Sequence, residues 1–407
     1  MNIWNDCPKI PITELLEFIV DNRGKTVPTA ESGHILIATN CVRNESLYPK
    51  YEKVRYLSQD TYNNFFRAHP IPGDILFVNK GTPGRVCLVP DPIDFCIAQD
   101  MIALRVDKSK VDNHYLLAVL RSPQIQRHIY NISVGDVIPH FKKQFMDTIL
   151  IPMPPMNLQE KIGNYYYEMS EKIETNNKIN ARLEEMAQAI FKDWFVDFTP
   201  FKNGKFVDSE LGMIPEGWRV GTLSEVAEIN PKRTLKKGEV STYLDMKNMP
   251  TSGPFPTNWE KREFNGGMKF QNGDALMARI TPCLENGKVA YVNFLEDNEI
   301  AFGSTEYIVM TSKEGKVSEL LYFLCRDKDF VSYATKNMNG SSGRQRVSGE
   351  TIGNYQIIIP PSEIIDKISP IFISVMKQIR AHGLENLRLA NIRDTLLPKL
   401  MSGEIEV

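Results

Sequence analysis

Basic and amide side chains recur beside glycine or proline in the predicted loops of both halves of this 407-residue chain. Arginine can pair with guanine edges, asparagine and glutamine with adenine, and lysine and loop N–H groups with phosphate. These loops therefore indicate nucleic-acid binding, although basic loops are also common on solvated surfaces. The best single candidate is the loop from Gly340 to Arg346, where small residues precede two arginines that flank a glutamine. The candidate DNA-contacting residues are Arg23, Lys25, Asn40, Arg43, Lys80, Thr82, Arg85, Lys142, Lys143, Lys232, Arg233, Lys247, Asn248, Arg279, Thr281, Arg344, Gln345 and Arg346.

The sequence lacks the motifs that catalysis would need. The stretch 80–85 contains glycines, but it does not have the spacing or the following Lys-Ser/Thr of a phosphate-binding loop. An amino-methyltransferase would need an Asn/Asp/Ser-Pro-Pro-aromatic tetrapeptide, whereas the two Pro-Pro pairs lie in MPPM (153–156) and IPPS (359–362). Asp91 and Asp94 could be metal carboxylates, but they stand beside prolines and are interpreted as turn residues. The sequence predicts no active site, metal site or cofactor site in this chain.

The composition is that of an ordinary globular protein, with 42% hydrophobic and 24% charged residues. Residues 1–157, 158–200, 201–361 and 362–407 carry net charges of +1, −3, 0 and 0, so no region is a basic arm. DNA binding would therefore use local patches, or a partner that supplies phosphate contacts. The six cysteines form no CxxC pair, which argues against a zinc site or a disulfide framework. Without a signal peptide or a long apolar run, we expect a cytoplasmic protein with no membrane partner.

A long helix is predicted over residues 158–198, because seam residues recur alternately four and three positions apart, the period of a coiled coil. The first seam comprises Ile162, Tyr166, Met169, Ile173, Asn176, Asn180, Leu183, Ala187, Ile190 and Trp194. Adding 206 to each number gives a matching seam near the C-terminus, in a helix predicted over residues 362–407. That second seam comprises Ile368, Phe372, Val375, Ile379, His382, Asn386, Leu389, Arg393, Leu396 and Leu400.

Asparagine in a seam usually costs stability and fixes the register of the pair. Asn180 and Asn386 occupy equivalent places, so we predict an intramolecular antiparallel pair in fixed alignment. The alternative is that each helix packs separately on its own domain. Asp366, Pro370 and Gly383 make the second helix the less regular of the two.

The order of motifs indicates a tandem duplication with a long period. Residues 223–226 correspond to 12–15, and 272–276 correspond to 72–76. Thr281-Pro282 corresponds to Thr82-Pro83, and a helix predicted over 317–335 corresponds to one over 114–129. Short β-type runs with one or two helices in each half indicate α+β domains of mixed structure. The predicted organisation is a first domain (1–157), the central helix (158–198), a second domain (199–361) and the C-terminal helix (362–407).

A helix of about 39 residues is roughly 58 Å long at 1.5 Å per residue. That length exceeds the roughly 34 Å of one turn of DNA. Two similar domains held apart by such helices would suit two separated DNA half-sites with uncontacted base pairs between them.

Three sequence blocks, in this order, resemble the specificity subunits of type I restriction–modification systems. AIFKDWFVDF (189–198) ends the first helix, LGMIPEGW (211–218) opens the second domain, and RDTLLPKLMSGEI (393–405) closes the chain. The resemblance covers essentially the whole chain. The first domain departs from it, since CPKIPI (7–12) lacks the Ile-Pro-x-Gly-Trp entry found at 214–218.

The resemblance implies two target-recognition domains, each reading half of a bipartite double-stranded DNA sequence, and two helices that set the gap. It also implies binding of methyltransferase subunits, two of them expected, and of restriction subunits in the full complex. AdoMet, ATP and Mg²⁺ would be bound by those partners and by no site in this chain, which would be a non-catalytic targeting subunit. Two alternatives remain open: a protein-binding scaffold with duplicated domains, or a freestanding DNA methyltransferase or nuclease.

Overall fold

The computed structural model describes residues 2–22, 24–135 and 137–405, and the chain divides into two compact units. Unit 1 comprises residues 1–175 and 386–407, and unit 2 comprises residues 176–385. Two long helices, Met156–Phe195 and Ser362–Ser402, each contribute one part to unit 1 and the other part to unit 2.

Unit 1 is a mixed α+β domain. Its elements are α1 (Ile3–Asp6), β1 (Lys9–Pro11), β2 (Leu16–Val20), β3 (His34–Ile37), β4 (Arg55–Leu57), α2 (Gln59–Asn64), β5 (Ile75–Val78), β6 (Val86–Leu88), β7 (Phe95–Ile97), β8 (Met101–Val106), α3 (Asn113–Arg121), α4 (Pro123–Ile132) and β9 (Leu150–Pro152). Helix α5 (Met156–Phe195) follows. The strands form a four-stranded sheet in the order β2-β8-β5-β6, a three-stranded sheet in the order β4-β3-β7, and the pair β1-β9.

Unit 2 repeats this architecture. Its elements are β10 (Phe206–Val207), β11 (Ile214–Pro215), β12 (Arg219–Thr222), α6 (Leu223–Val226), β13 (Ala227–Ile229), β14 (Val240–Leu244), β15 (Glu260–Glu263), β16 (Met268–Phe270), β17 (Ala275–Ala278), β18 (Val289–Tyr291), β19 (Ala301–Gly303), β20 (Tyr307–Ser312), α7 (Ser318–Arg326), α8 (Lys328–Lys336), α9 (Gly349–Gly353) and β21 (Gln356–Ile359). The shared helix α10 (Ser362–Ser402) follows. Its sheets are ordered β13-β20-β17-β18 and β15-β14-β19-β16, with the pairs β12-β21 and β10-β11.

Each unit is built around one strand that is buried on both faces. In unit 1, Ile75 and Phe77 of β5 pack into the core that includes α3, while Leu76 and Val78 pack into a second core with β3 and β7. Strand β17 has the same alternation in unit 2. Successive side chains of a strand point to opposite faces, so a continuous apolar run is needed where both faces are covered.

Both single helices predicted for the domains are in fact broken in two. In unit 1, α3 ends at Arg121 and α4 begins at Pro123, because Ser122 caps α4 and proline lacks the N–H that would continue the first helix. In unit 2, Asp327 separates α7 from α8, and its carboxylate accepts hydrogen bonds from the N–H groups of Asp329 and Phe330. The apolar periodicity of each segment predicts a helix, whereas the break depends on a single capping residue.

The two long helices pack together as an antiparallel pair, so the predicted fold is confirmed. In unit 1, Arg393 Nη1 donates to Ser170 Oγ at 3.2 Å. In unit 2, Asn176 Nδ2 donates to Glu385 Oε2 at 2.7 Å, and Asn180 Oδ1 lies 2.8 Å from His382 Nδ1. All the seam residues are buried or partly buried, with Met169, Asn180, Leu183, Ile190, Trp194, His382, Asn386, Leu389 and Leu396 in the partly buried group.

The helices also pack on the domains. Pairing of the helices with each other and packing of each helix on a domain therefore occur together. Ile162, Tyr166 and Leu397 belong to the core of unit 1, and Phe191 and Phe372 belong to the core of unit 2. Helix α10 is continuous despite its less regular sequence. Gly383 is required there, because a Cβ at this position would lie 2.5 Å from Cδ1 of Phe255.

Glu299, two residues before β19, makes contacts with β14 and β15 that depend on its charge. Its Oε1 accepts hydrogen bonds from Lys261 Nζ at 2.7 Å and Thr242 N–H at 2.9 Å. Burial would raise the pKa of this carboxyl from its ordinary value of 4.5, but these donors outweigh burial and lower the pKa to about 2.

Because the folded-state pKa of Glu299 is depressed, the ionised carboxylate contributes stability above about pH 4.5 and that stability is lost as the pH falls towards 2. Glu299→Gln is expected to lower the free energy of unfolding at pH 7 by about 1–3 kcal/mol, the usual cost of losing hydrogen bonds to a charged group. Urea unfolding at pH 7 and at pH 3 should show a smaller difference between variant and native protein at pH 3. An equal difference at both pH values would contradict the assigned role.

No helix in the described ranges is long and apolar enough to cross a membrane.

Candidate nucleic-acid interface

The same set of three backbone hydrogen bonds lies at one end of the central strand in each unit, and we call it the loop frame. In unit 1 the bonds are Asn79 N–H to Asp100 C=O, Gly81 N–H to Pro139 C=O, and Phe141 N–H to Asn79 C=O. In unit 2 they are Arg279 N–H to Glu306 C=O, Thr281 N–H to Gln345 C=O, and Val347 N–H to Arg279 C=O. The frame joins the loop after β5 or β17, the turn before β8 or β20, and the loop that follows α4 or α8.

The loop frame corrects the predicted alignment of the two repeats at one place. The sequence match aligned Thr281-Pro282 with Thr82-Pro83. The backbone hydrogen bonds instead place Thr281 opposite Gly81, one residue earlier. Strands β5 and β17 confirm this offset of 200 residues, since both begin after an aspartate, Asp74 or Asp274.

In unit 1 the loop frame brings several of the predicted lysines together. Lys80 is exposed and pairs through its backbone with His140, two residues before Lys142. Lys143 forms an ion pair with Asp21, which connects this loop to the turn that holds Lys25. Lys25, Lys80, Lys142 and Lys143 are all exposed, so phosphate can reach this surface, and the Lys143 ammonium is already paired with Asp21. Arg23 lies outside the described residues.

The remaining candidates of unit 1 lie next to the frame. A Cβ at Gly81 would be 3.9 Å from Thr39 Oγ1, which places the short 3₁₀ helix Thr39–Cys41 beside the loop. Asn40 in that helix is exposed, but its amide donates to the Glu52 carbonyl. Arg43 forms an ion pair with the Glu52 carboxylate at 2.6 Å. Thr82 and Arg85 belong to the turn that returns the chain to β6, where Arg85 N–H donates to Thr82 C=O.

In unit 2 the frame unites five predicted residues: Arg279, Thr281, Arg344, Gln345 and Arg346. Arg344 is exposed at the tip of the loop. Arg346 is already engaged, because its Nε and Nη2 donate to both carboxylate oxygens of Glu306 at 2.8 to 3.0 Å. Its Nη1 donates to the Arg344 carbonyl at 2.9 Å, so most of its donors serve the loop itself.

Arg233 was expected on a loop surface, and the structure buries it instead. Its side chain is 7% exposed, and Nη2 donates to Asp274 Oδ1 at 2.9 Å and to Thr311 Oγ1 at 3.0 Å. The expectation failed because the acceptor, Asp274, lies 41 residues away in the sequence. Its neighbour Lys232 is exposed. Lys247 is exposed and Asn248 partly buried in the 3₁₀ helix Met246–Asn248, whose Met246 carbonyl accepts from Lys288 Nζ.

Several residues at the frame were not among the sequence candidates, including Asn79, Asp100 and the adjoining His140 in unit 1, and Glu306 in unit 2. Arg279 takes the position of Asn79, Glu306 that of Asp100, and Arg346 that of His140. Aligning the repeats strand by strand would have found them, since β8 and β20 are offset by 206 residues whereas β5 and β17 are offset by 200.

The described residues contain no group of three or more His, Cys, Asp or Glu side chains that could hold a metal ion. Asp94 accepts a hydrogen bond from the Tyr51 hydroxyl, in keeping with a structural role. Unit 2 has an open groove of about 620 Å³ beside the end of α5, lined largely by apolar side chains such as Phe191, Phe195 and Leu320.

The chain matches the family model for the type I restriction modification DNA specificity domain twice, over residues 9–185 and 215–389. It is 26% identical over 353 residues to the type I restriction enzyme MjaIX specificity subunit of Methanocaldococcus jannaschii, covering 82% of this chain and 78% of that protein. It is 23% identical over 398 residues to the HindI specificity subunit of Haemophilus influenzae, covering 82% and 86%.

The fold is similar to the crystal structure of the S subunit of a type I restriction–modification system from M. genitalium. The TM-score is 0.57 at 16% sequence identity, covering 97% of this chain and 96% of that one. The two copies of the family model span most of the sequence. The chain therefore belongs to the type I restriction–modification DNA specificity family and is a DNA sequence-recognition subunit without catalytic activity of its own.

Proposed function

We propose that this chain reads a bipartite target in double-stranded DNA in the cytoplasm, with one half-site recognised by each of its two domains. The observation that carries the proposal is the loop frame, which occurs once in each unit with the same backbone hydrogen bonds. Side chains differ between the two frames, with Asn79, Asp100 and His140 in one and Arg279, Glu306 and Arg346 in the other. The two loop frames share their backbone hydrogen bonds but present different side chains. This suits two half-sites of different sequence, because base edges are distinguished by their hydrogen-bond donors and acceptors.

The low net charge of −2 sets a limit on how the chain binds DNA. Phosphate contacts supply most of non-specific affinity, so a chain without a basic arm needs local patches or a partner. The exposed Lys25, Lys80, Lys142 and Lys143 form one such patch in unit 1. Methyltransferase subunits would supply the remaining phosphate contacts.

The two long helices are proposed to set the gap between half-sites and to bind methyltransferase subunits, two of them in the expected complex. Two polar pairs between the helices, Asn176 with Glu385 and Asn180 with His382, support a fixed register. The apolar groove beside Phe191 and Phe195 supports a protein partner on α5, because open apolar surface of this kind favours protein contacts. Restriction subunits would join the full complex, and AdoMet, ATP and Mg²⁺ would be bound by the partner subunits.

Methylome sequencing tests the proposal most directly. A host without this system should express the chain together with its neighbouring methyltransferase subunit. We expect a single bipartite motif with modified adenines on opposite strands. An unmodified genome, despite an assembled complex and an active methyltransferase, would contradict DNA reading by this chain.

A binding experiment separates DNA reading from a protein-binding scaffold. The assembled complex should bind random-sequence duplex at low salt, and the affinity should fall steeply as salt rises. Complete absence of salt-sensitive binding would favour the scaffold.

A further inference from the structure

We infer that Arg279 contacts a guanine in the half-site read by unit 2 and that Glu306 positions the Arg279 side chain. Arg346 holds Glu306 in place and contacts no base. This inference rests on the proposed function of the loop frame. It assigns different tasks to three neighbouring charged residues that sequence alone does not separate.

Glu306 lies between two guanidinium groups. It is held by three hydrogen bonds from Arg346, at 2.8, 2.9 and 3.0 Å. The Nε of Arg279 lies 3.9 Å from Glu306 Oε2, close enough for an ion pair but too far for a hydrogen bond. The Glu306 carboxylate therefore fixes Arg346 through hydrogen bonds. It attracts the Arg279 guanidinium electrostatically and leaves the N–H donors of Arg279 unused.

The donors of the two arginines differ in availability. Arg346 uses Nε and Nη2 for Glu306 and Nη1 for the Arg344 carbonyl. Arg279, in contrast, donates no side-chain hydrogen bond to any of the described residues, and its enclosed Nε has no acceptor. Its side chain is 30% exposed, so the guanidinium is held on one side and open on the other. The two Nη groups are not enclosed in this way, so their N–H donors are open to a ligand acceptor.

The chemistry of Arg279 selects the ligand. A guanidinium offers two parallel N–H donors, and the O6 and N7 acceptors of guanine match them in the major groove. Holding the guanidinium beside Glu306 restricts its rotamers before DNA binds, so less conformational entropy is lost on reading the base. A phosphate would also accept these bonds, but a phosphate contact would show no base preference.

Unit 1 has no arginine at the corresponding position. Asn79 replaces Arg279 there, and its side chain is buried, with the whole residue only 5% exposed. His140 replaces Arg346, and Asp100 replaces Glu306. The guanine contact is therefore assigned to one half-site only.

The test is methylome sequencing of hosts that express the methyltransferase subunit with the native chain, Arg279→Lys, Glu306→Gln or a control. Arg279→Lys keeps the charge and its attraction to Glu306 but removes the paired donors. We expect the native motif to contain a guanine in one half-site, and discrimination at that position to fall about tenfold or more in Arg279→Lys. Glu306→Gln should reduce base discrimination at the same position. The sequence of the other half-site should stay unchanged in both variants.

Glu260→Gln is the control, because it breaks an Arg–Glu pair of unit 2 outside the loop frame, with Arg262 at 2.7 Å on β15. It should give the native motif. Glu306→Gln also removes a negative charge beside two arginines, so binding of the complex to random duplex should be equal or stronger. Weaker random-duplex binding together with a lowered thermal midpoint would show a merely structural role for Glu306.

The outcomes distinguish failure of the Arg279 assignment from failure of the proposed function. If the native complex modifies a bipartite motif that stays unchanged in Arg279→Lys, the Arg279 assignment is wrong and the proposed function stands. The same holds if the relaxed position is not a G·C pair, with guanine on either strand, or if both half-sites relax. If the assembled native complex with active methyltransferase modifies no motif, the proposed function itself fails.

Discussion

Arg233→Ala is expected to lower the free energy of unfolding of unit 2 by about 3–5 kcal/mol, the usual cost of removing one partner from a buried ion pair. The reason is Asp274, which is fully buried and accepts hydrogen bonds from Arg233, Thr311 Oγ1 and Gln271 N–H. Without Arg233, its charge would have two hydrogen bonds and no counter-ion. Urea unfolding followed by circular dichroism would measure the loss.

Unit 1 supplies a matched comparison for this variant. Asp74 occupies the place of Asp274, but its partner is Arg105, whose side chain is 25% exposed and so partly hydrated. Arg105→Ala should therefore cost less than Arg233→Ala, since water can replace part of the lost interaction. Equal losses would show that burial of the arginine does not decide the cost.

The pH dependence of Arg233→Ala has a definite sign. Burial already raises the pKa of the Asp274 carboxyl, although Thr311 and Arg233 oppose the shift, and removing Arg233 raises the pKa further. For a carboxyl with a raised folded-state pKa, stability is present at low pH and is lost as the pH rises through that pKa. The deficit relative to the native chain should be larger at pH 8 than at pH 5. In the double variant Arg233→Ala, Asp274→Asn this difference should disappear.

The elements with strong periodicity were predictable from the sequence. The seam positions give two long helices because their spacing places a stripe of mainly apolar side chains along each one, and the apolar run 75–78 gives a strand. The breaks at Ser122 and Asp327 were missed, since a single capping residue leaves the apolar periodicity on either side almost unchanged. The apolar periodicity therefore predicts which helices and strands form, whereas side-chain capping hydrogen bonds determine where the helices end.

The loop candidates were less predictable, for a physical reason. Whether an arginine on a loop is free depends on acceptors far away in the sequence: Asp274 is 41 residues from Arg233, and Glu306 is 40 residues from Arg346. Composition and neighbouring glycines could not distinguish these engaged residues from Arg279 and Arg344. Only the tertiary fold shows which donors remain available to DNA.

Lengthening both long helices by four residues is expected to change the unspecified gap of the target and leave both half-sites as they are. The insertions belong between Asn176 and Asn180 in α5 and between His382 and Glu385 in α10. Placed there, they keep the Asn176–Glu385 pair on one side and the Asn180–His382 pair on the other. Four helical residues add about 6 Å, which corresponds to about one or two base pairs of DNA.

A single insertion in α5 alone is the control for the paired one. It would leave the register of α10 unchanged, so at least one of the two polar pairs would be broken, and an unpaired polar group in a seam destabilises the helix pair. We expect that variant to modify few sites or none, with a lowered thermal midpoint. Methylome sequencing would show the motif of each variant. An unchanged gap in the paired insertion, with both half-sites still modified, would contradict the spacer role of the helices, because the gap would then be set by something other than their length.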